Sequence, residues 1–279
     1  MPLFLGVWSL VVIIPLVVLL VYSFFESRNF AMVYEPTLNT WTNLFSSGRF
    51  EVTVRTLRIA LSVTAIELLL AFPAALWLAK GGCSKTTRAI VLALLTIPFF
   101  LDLSSRIIVW RGILDETGLI NQVLMSLHVI SEPIKGMLYT EGSVHFGMLL
   151  THFPSMVLPI YMAINVIDDT LIAAAADLGA SPARILKDII FPLAMPGVLA
   201  GVVFTLGPAL ASWVEANMLG GGFVNMLSNS VDSAYSALRY PVLAALSAFV
   251  ILLVGAIFLA LLLVTRRMAD ASTFFKSLH

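Results

Sequence analysis

The chain has 279 residues, of which 59% are hydrophobic and only 11% charged, whereas a soluble domain carries about 25% charged residues. The 16 basic and 16 acidic residues cancel, which excludes a large basic surface for nucleic acid. The single Cys83 excludes an internal disulfide or a paired-cysteine metal site. With a mean hydropathy of +0.99, the chain is predicted to lie in a lipid bilayer.

Six apolar runs are long enough to cross a membrane as helices. The first lacks the basic start and the small-residue cleavage site of a signal peptide, so we interpret it as a retained helix. The sequence therefore predicts an all-α integral membrane protein with one membrane domain of six spans, at residues 5–25, 57–79, 89–112, 144–167, 190–212 and 241–264.

The distribution of Lys and Arg predicts the orientation, because cytoplasmic connections are enriched in both. The second connection, the fourth connection and the tail hold Lys80, Lys85, Arg88, Arg184, Lys187, Arg266, Arg267 and Lys276. The longer odd-numbered connections hold Arg28, Arg49, Arg55, Lys135 and Arg239. The denser side is predicted to be cytoplasmic, with both termini on it.

Two spans carry carboxylates, which are costly in a bilayer unless they are paired or line water. Glu67, in span two, either stays protonated, faces a pathway, pairs with another subunit or makes an interhelical hydrogen bond. In span three, Asp102 either pairs with Arg106 one turn later or lines a cavity with Ser105. The next connection has apolar residues at helical spacing from position 119 to 127, which predicts a helix on the membrane surface.

Polar residues and prolines mark the later spans. His152 is a candidate for the pathway or for an interhelical hydrogen bond, and no second ligand at metal spacing accompanies it. Trp213 and Glu215 close span five, where Trp213 is an interfacial anchor or a pathway residue. Gly197 and Gly201 form a G-x-x-x-G pattern that favours close helix packing. At least eight prolines interrupt the apolar runs, so the freed carbonyls should face other helices or a cavity.

The fourth connection has the most informative local sequence. Leu171 to Leu178 includes four consecutive alanines and strongly favours a helix, which Gly179 would end with a positive φ. Ser181 would then cap a second helix that has Pro182 at its first position. Two short helices joined by a glycine bend suit insertion into a groove on another protein.

This stretch resembles the permease subunits of type I ABC importers. Their pattern E-A-A-x-x-x-G-x(9)-I-x-L-P is matched at Ala174, Ala175, Gly179, Ile189 and Pro192, while Ala173 and Phe191 replace its Glu and Leu. The runs Leu178-Gly-Ala-Ser, Phe191-Pro-Leu-Ala-Met-Pro-Gly and Met218-Leu-Gly-Gly look like the spermidine/putrescine branch.

The resemblance implies a division of labour between subunits. Two permeases, here predicted to differ, form the pathway in the bacterial inner membrane, two ATPase subunits bind ATP and Mg²⁺, and an extracytoplasmic binding protein delivers the solute. This chain would bind no cofactor, metal or nucleic acid and would catalyse no reaction, in keeping with the lack of a phosphate-binding G-x-x-x-x-G-K-[ST] run. The residues implied in ATPase coupling are Ala174, Ala175, Asp177, Gly179, Ser181, Pro182, Ile189 and Pro192.

The same resemblance divides the chain into a first helix and loop (1–53), a permease core (54–264) with a coupling helix at about 168–188, and a cytoplasmic tail (265–279). Related permeases often carry an acid where Asn217 stands. The carboxylates of Glu67 and Asp102 favour a cationic solute such as a polyamine or an amino-acid-like molecule, whereas Asn217 and an Asp102–Arg106 pair would reduce the negative charge. A gradient-driven carrier or channel that uses Glu67 and Asp102 is the alternative.

Overall fold

A computed structural model describes residues 2–28, 31–46 and 49–276. In that part the chain forms thirteen α-helices and one antiparallel pair of three-residue strands. The helices are α1 Pro2–Tyr22, α2 Asn39–Ser46, α3 Arg49–Lys80, α4 Lys85–Thr96, α5 Leu103–Leu114, α6 Leu119–Ser126, α7 Glu141–Asn165, α8 Asp169–Asp177, α9 Pro182–Ile185, α10 Phe191–Leu210, α11 Val214–Met218, α12 Leu227–Ser236 and α13 Tyr240–Lys276. The strands are β1 Glu26–Arg28 and β2 Ala31–Val33.

Four helical stretches of the described chain are long and apolar enough to cross a membrane: Phe50–Lys80, Glu141–Asn165, Pro182–Leu210 and Tyr240–Ala260. A fifth candidate is a pair of helical segments, Lys85–Phe100 and Leu103–Ser126, bent by 105° at their junction. The apolar stretch Gly6–Tyr22 of α1 is shorter. The predicted all-α, multi-pass class is confirmed, and the count of six spans stays a prediction.

Predicted span three is not one continuous helix. Pro98 lies in a 3₁₀ turn, Ile97–Phe100, after which Leu101 is extended and Asp102 starts α5 as its N-cap. Asp102 Oδ2 accepts hydrogen bonds from Ser105 N at 2.9 Å and Ser105 Oγ at 3.2 Å. The capping geometry turns this carboxylate to the backbone, so the predicted pairing of Asp102 with Arg106 is wrong.

The helices divide into two compact units, one from the described residues of Met1–Leu57 and Asn225–His279, the other from Arg58–Val224. In the first, Leu44, Leu227, Ala245 and Leu246 are buried together. Thr56 Oγ1 accepts a hydrogen bond from Leu227 N at 3.0 Å, which ties α3 to the start of α12.

The second unit has its core where α3, α7, α9 and α10 meet. The buried residues of this core include Ala71, Ala75, Leu78, Ile160, Ile164, Ile185 and Ala194. A Cβ atom on Gly197 would lie 2.5 Å from the carbonyl oxygen of Pro159 and from Ala163 Cβ, and one on Gly201 would lie 2.9 Å from Met156 Sδ. Both glycines therefore lie where the backbones of α7 and α10 come closest.

Helices α3 and α7 run in the same direction and are joined near both ends. Near their beginnings, Arg58 Nη2 lies 2.5 Å from Glu141 Oε2, and Ser62 Oγ lies 2.8 Å from His145 Nε2. Near their ends, Lys80 Nζ donates to the carbonyl oxygen of Ile167 at 2.6 Å and to Asp169 Oδ1 at 2.5 Å. The last contact fixes the start of α8 to the end of α3.

Candidate functional site: the elbow and the buried polar groups

The elbow, residues 177–182 between α8 and α9, is closed by hydrogen bonds within the chain. Gly179 has φ +82°, its N–H donates to Ala176 O at 2.9 Å, and Ala180 N donates to Ala175 O at 3.0 Å. These two bonds form a Schellman motif, which pairs the last carbonyls of α8. The predicted helix end at Gly179 is confirmed.

Both helices beside the elbow are capped by side chains. Asp168 accepts a hydrogen bond from Thr170 N at 2.9 Å, and this backbone bond, more than any other cause, lowers the pKa of the Asp168 carboxyl. Ser181 accepts from Arg184 N at 3.4 Å with Pro182 next to it, as predicted. The second helix differs from the prediction in length, because α9 continues through a π-helical segment, Leu186–Ile190, into α10.

The elbow region has one face toward the core and one toward the outside. Ala175, Ala180 and Ile189 pack against the core of the second unit. The side chain of Leu178 is 89% exposed. The other residues implied in coupling, which are Ala174, Asp177, Gly179, Ser181, Pro182 and Pro192, are also exposed. A leucine held outward on a fixed bend provides a preformed apolar contact.

Glu67 is fully buried in α3, with 0% of its surface exposed. Neither of its carboxylate oxygens has a hydrogen-bond partner in the described chain. Thr205 of α10 is its polar neighbour, but the Thr205 hydroxyl is itself without a well-formed hydrogen bond. A buried carboxylate left in this state is costly, which favours a partner outside this chain.

Three more ionisable side chains with buried polar atoms come from different elements: Arg106 of α5, His152 of α7 and Glu215 of α11. Glu215 is 1% exposed and His152 7%, whereas Arg106 is half-buried. Ser212 Oγ donates to Glu215 Oε2. Glu215 Oε1, His152 Nδ1 and Arg106 Nε are buried without hydrogen-bond partners among residues 2–28, 31–46 and 49–276. We call these three residues the buried triad.

Gly147 of α7 allows these elements to approach. A Cβ atom there would lie 2.4 Å from Leu219 Cδ1, 3.5 Å from Glu215 Cγ and 3.6 Å from Ile107 Cδ1. Ile107 directly follows Arg106 in α5 and is buried. Gly147 is therefore the point at which α5 and the region of α11 both contact α7.

The remaining pathway candidates lie at the surface. Asp102 and Ser105, at the start of α5, are exposed, as is Asn217 two residues after Glu215. Trp213, the residue before α11, is 38% exposed. In the described residues, no group of three or more His, Cys, Asp or Glu side chains has the arrangement of a metal site.

Sequence reasoning assigned Arg106 only to Asp102 and did not associate it with His152 or Glu215. It also missed the role of Asn121, which is 1% exposed in α6. The Asn121 side-chain amide donates to the carbonyl oxygens of Asp115, Glu116 and Ile134, and its oxygen accepts from Ile134 N at 2.8 Å. Buried polar residues in apolar surroundings were the available signal, but their partners are distant in sequence.

Residues 67–271 match the family described as binding-protein-dependent transport system inner membrane component. The chain belongs to this family. The predicted relationship to importer permeases is thereby confirmed, and so is a place in a multi-pass membrane component.

Individual members of the permease family are similar over most of the chain. The spermidine/putrescine transport system permease protein PotB of Haemophilus influenzae is 33% identical over 226 residues, which cover 80% of this chain and 78% of that protein. Its Escherichia coli counterpart is 33% identical over 220 residues, covering 78% and 79%. These relatives support the predicted polyamine branch.

The fold is also found in a solved importer. A chain of a bacterial alginate ABC transporter, in complex with an alginate pentasaccharide-bound periplasmic protein, superposes with a TM-score of 0.74 at 19% identity. The superposition covers 96% of this chain and 93% of that one. The predicted type I importer permease fold is confirmed.

Proposed function

We propose that this chain is one of two permease subunits of an ATP-driven importer, the second being a different permease. Two ATPase subunits, which bind ATP and Mg²⁺, and an extracytoplasmic solute-binding protein complete the transporter. Family membership supports this assembly. The observation that carries the proposal is the elbow, whose exposed Leu178 and left-handed Gly179 form a rigid contact for an ATPase groove.

The orientation follows from the same assignment. The elbow lies with the Lys- and Arg-rich connections on the cytoplasmic side, and both termini lie there too. Movement of the ATPase would reach the spans through two connections, because α8 is bonded to Lys80 of α3 and α9 continues into α10. The chain itself binds no nucleotide and is not an enzyme in this proposal.

The transported solute is a small polar molecule that bears an amine, either a polyamine or an amino-acid-like compound. The buried carboxylates of Glu67 and Glu215 support an amine, since each has an oxygen without a partner. The names of the relatives in Haemophilus influenzae and Escherichia coli support the polyamine class. A gradient-driven carrier is less well supported, because Asp102, one of its two relay carboxylates, is an exposed helix cap.

Gly179→Ala tests the coupling role. Alanine at φ +82° costs about 1 kcal/mol and should reduce binding-protein-stimulated ATP hydrolysis about fivefold in the reconstituted transporter. Gly82→Ala is the matched control, since Gly82 has φ +70° and, like Gly179, no atom within 4 Å of an added Cβ. Gly179→Asn should retain coupling, because Asn adopts the left-handed region. Equal stimulation in Gly179→Ala and wild type would contradict the proposal.

A further inference from the structure

A polar groove lies at the beginning of α13, between α12, α13 and the first turn of α3. Its volume is about 300 Å³, and all of its lining residues belong to the first compact unit. A cavity of this size can hold a small molecule or the polar head of a larger one. The lining residues whose side chains can form hydrogen bonds are Asn225, Asn229, Ser230, Ser233 and Arg239.

The floor of the groove is apolar and belongs to the core of the first unit. Val52 of α3 and Val242 of α13 line the groove, and both pack against the buried cluster that contains Leu44 and Leu246. Ala234 of α12, which also lines the groove, is a buried member of the same cluster. The three helices around the groove are therefore held together by one core.

The turn between α12 and α13 fixes the backbone of Arg239 at the edge of this groove. Leu238 has φ +55°, and its N–H donates to Tyr235 O at 2.9 Å. Arg239 N donates to Ala234 O at 2.9 Å, which completes a Schellman motif at the end of α12. The carbonyl oxygen of Arg239 accepts from Leu243 N at 3.0 Å. Hydrogen bonds to both helices thus hold Arg239 in place.

The lining offers hydrogen-bond donors to an anionic oxygen. The exposed Arg239 makes no ion pair among the described residues. Asn229 Oδ1 accepts from Met226 N at 3.0 Å, which leaves the amide N–H groups of Asn229 as donors, and the hydroxyls of Ser230 and Ser233 can donate too. Among the described lining residues none is acidic. One guanidinium beside neutral donors is suited to a phosphate or a carboxylate.

The groove lies at the end of a membrane span. The membrane-spanning stretch of α13 begins at Tyr240, directly after Arg239. Tyr235 and Tyr240 are both exposed, and tyrosines near the end of a span are typical of the boundary between lipid and water. Farther along α13, apolar side chains such as Ile251 are exposed, as expected beside acyl chains. The position therefore favours the phosphate of a lipid over an anion from the aqueous phase.

We propose that this groove binds the headgroup of a membrane phospholipid, with Arg239 paired to the phosphate and Asn229 and Ser233 donating further hydrogen bonds. A headgroup with a net negative charge, such as phosphatidylglycerol, binds better than phosphatidylethanolamine, because no acid among the described lining residues balances an ammonium group. This site is separate from the solute pathway and does not depend on which solute is transported.

Three lipids that share the same two oleoyl chains test the proposal. They are phosphatidylglycerol, phosphatidylethanolamine and monogalactosyldiacylglycerol, which has no phosphate. Each is titrated into the complex of this chain with its partner subunits, and native mass spectrometry measures the apparent Kd of the bound lipid. Arg239→Gln should weaken phosphatidylglycerol binding about fivefold and leave the binding of the galactolipid unchanged.

Further variants separate the groove from a general effect of charge. Ser233→Trp fills the groove while keeping Arg239, so it should weaken phosphatidylglycerol binding about as much as Arg239→Gln does. Arg239→Lys keeps the positive charge and should retain part of the affinity. Lys135→Gln is the matched control, because Lys135 is exposed and does not line the groove. It should leave the binding of all three lipids unchanged.

Hydrogen exchange adds a local measurement on the unmodified chain. The complex is placed in nanodiscs made with either phosphatidylglycerol or the galactolipid, and exchange is followed by mass spectrometry. Residues 225–243, which include the α12–α13 turn, should exchange more slowly in phosphatidylglycerol. Equal exchange in the two lipids would contradict the proposal, and this result decides the question if Arg239→Gln fails to assemble.

Other results would assign the groove differently. Equal phosphatidylglycerol binding by wild type and Arg239→Gln, or an equal loss in Lys135→Gln, would remove the lipid site. Displacement of phosphatidylglycerol by millimolar inorganic phosphate at constant ionic strength would assign the groove to a free anion. If Arg239→Gln kept its lipid affinity but lost the stimulation of ATP hydrolysis by the binding protein, the groove would instead bind a carboxylate of that protein.

Discussion

The elbow and the buried triad differ in how far their polar groups are hydrogen-bonded within the described chain. At the elbow, the carbonyls that α8 leaves free are paired by Gly179 and Ala180, and the next helix is capped by Ser181. In the buried triad, every member has a buried polar atom without a hydrogen-bond partner in the described part of the chain. The hydrogen bonds of the elbow are therefore complete within one chain, whereas those of the buried triad are not complete within the described residues.

The first prediction concerns the close packing of α10 against α7 at Gly197. Gly197→Val would place side-chain atoms against the Pro159 carbonyl and Ala163, and we expect a loss of about 3 kcal/mol in unfolding free energy. Gly255→Val is the control, because a Cβ atom there has no neighbour within 4 Å. Titration with SDS from mixed micelles measures both. Equal losses of unfolding free energy in the two variants would show that the packing of α10 against α7 does not require close backbone contact.

The second prediction contrasts an unpaired carboxylate with a paired one. Glu67→Met should raise the unfolding free energy of the isolated chain by about 2 kcal/mol, because it removes a buried carboxylate that has no hydrogen-bond partner in the part of the chain that the structure describes. Glu141→Gln should lower it by less than about 1 kcal/mol, since it weakens the partly exposed pair with Arg58. The same SDS titration measures both. Destabilisation by Glu67→Met would mean that Glu67 is satisfied inside the chain.

The third prediction concerns Asn121, a buried polar residue that is satisfied. Asn121→Ala removes the amide that joins residues 115–116 to Ile134 and should make opening of this loop easier by about 1 kcal/mol. Hydrogen exchange across residues 115–134, followed by mass spectrometry, measures the change. Gln122→Ala is the control, because the exposed side chain of Gln122 makes a single hydrogen bond among the described residues, to Thr117 O. Similar exchange in both variants would contradict the assignment.

The smallest expected effect is the pH dependence of the cap on α8. Because the pKa of Asp168 is lowered in the folded state, its contribution to stability is present above about pH 4 and is lost as the pH falls through the folded-state pKa. The difference in unfolding midpoint between wild type and Asp168→Asn should therefore shrink below pH 4. Asp177→Asn, a change at the other end of α8, should leave the pH dependence of the unfolding midpoint as it is in wild type. If the difference in midpoint between wild type and Asp168→Asn did not shrink below pH 4, the capping role of Asp168 would be refuted.

Sequence reasoning succeeded where the interacting residues are close together in the chain. The end of α8 at Gly179 and the start of the next helix at Ser181 and Pro182 depend on neighbours within a few residues. Both could therefore be predicted from spacing alone. The apolar runs located the four helices that are long and apolar enough to cross a membrane for the same reason. The signals at Pro98 and Asp102 were also local, a missing N–H and a capping carboxylate, but the continuous hydropathy of the run concealed the break they cause.

The triad could not be predicted because its members come from three elements. Arg106, His152 and Glu215 belong to α5, α7 and α11, which pack together around Gly147. Within α5 alone, the nearest opposite charge to Arg106 was Asp102, and the expectation of a pair followed from that. The hydrogen bonds of Asn121 could not be predicted for the same reason, since one of its partners, Ile134, is thirteen residues away.

The bonds between α3 and α7 have a mechanical consequence. Two parallel helices joined near both ends, by Arg58 to Glu141 and by Lys80 to Ile167 and Asp169, cannot slide past each other without breaking charged hydrogen bonds. A force applied to α8 would therefore act on α3 and α7 together. Glu67 and His152, which lie on these two helices, would then move together.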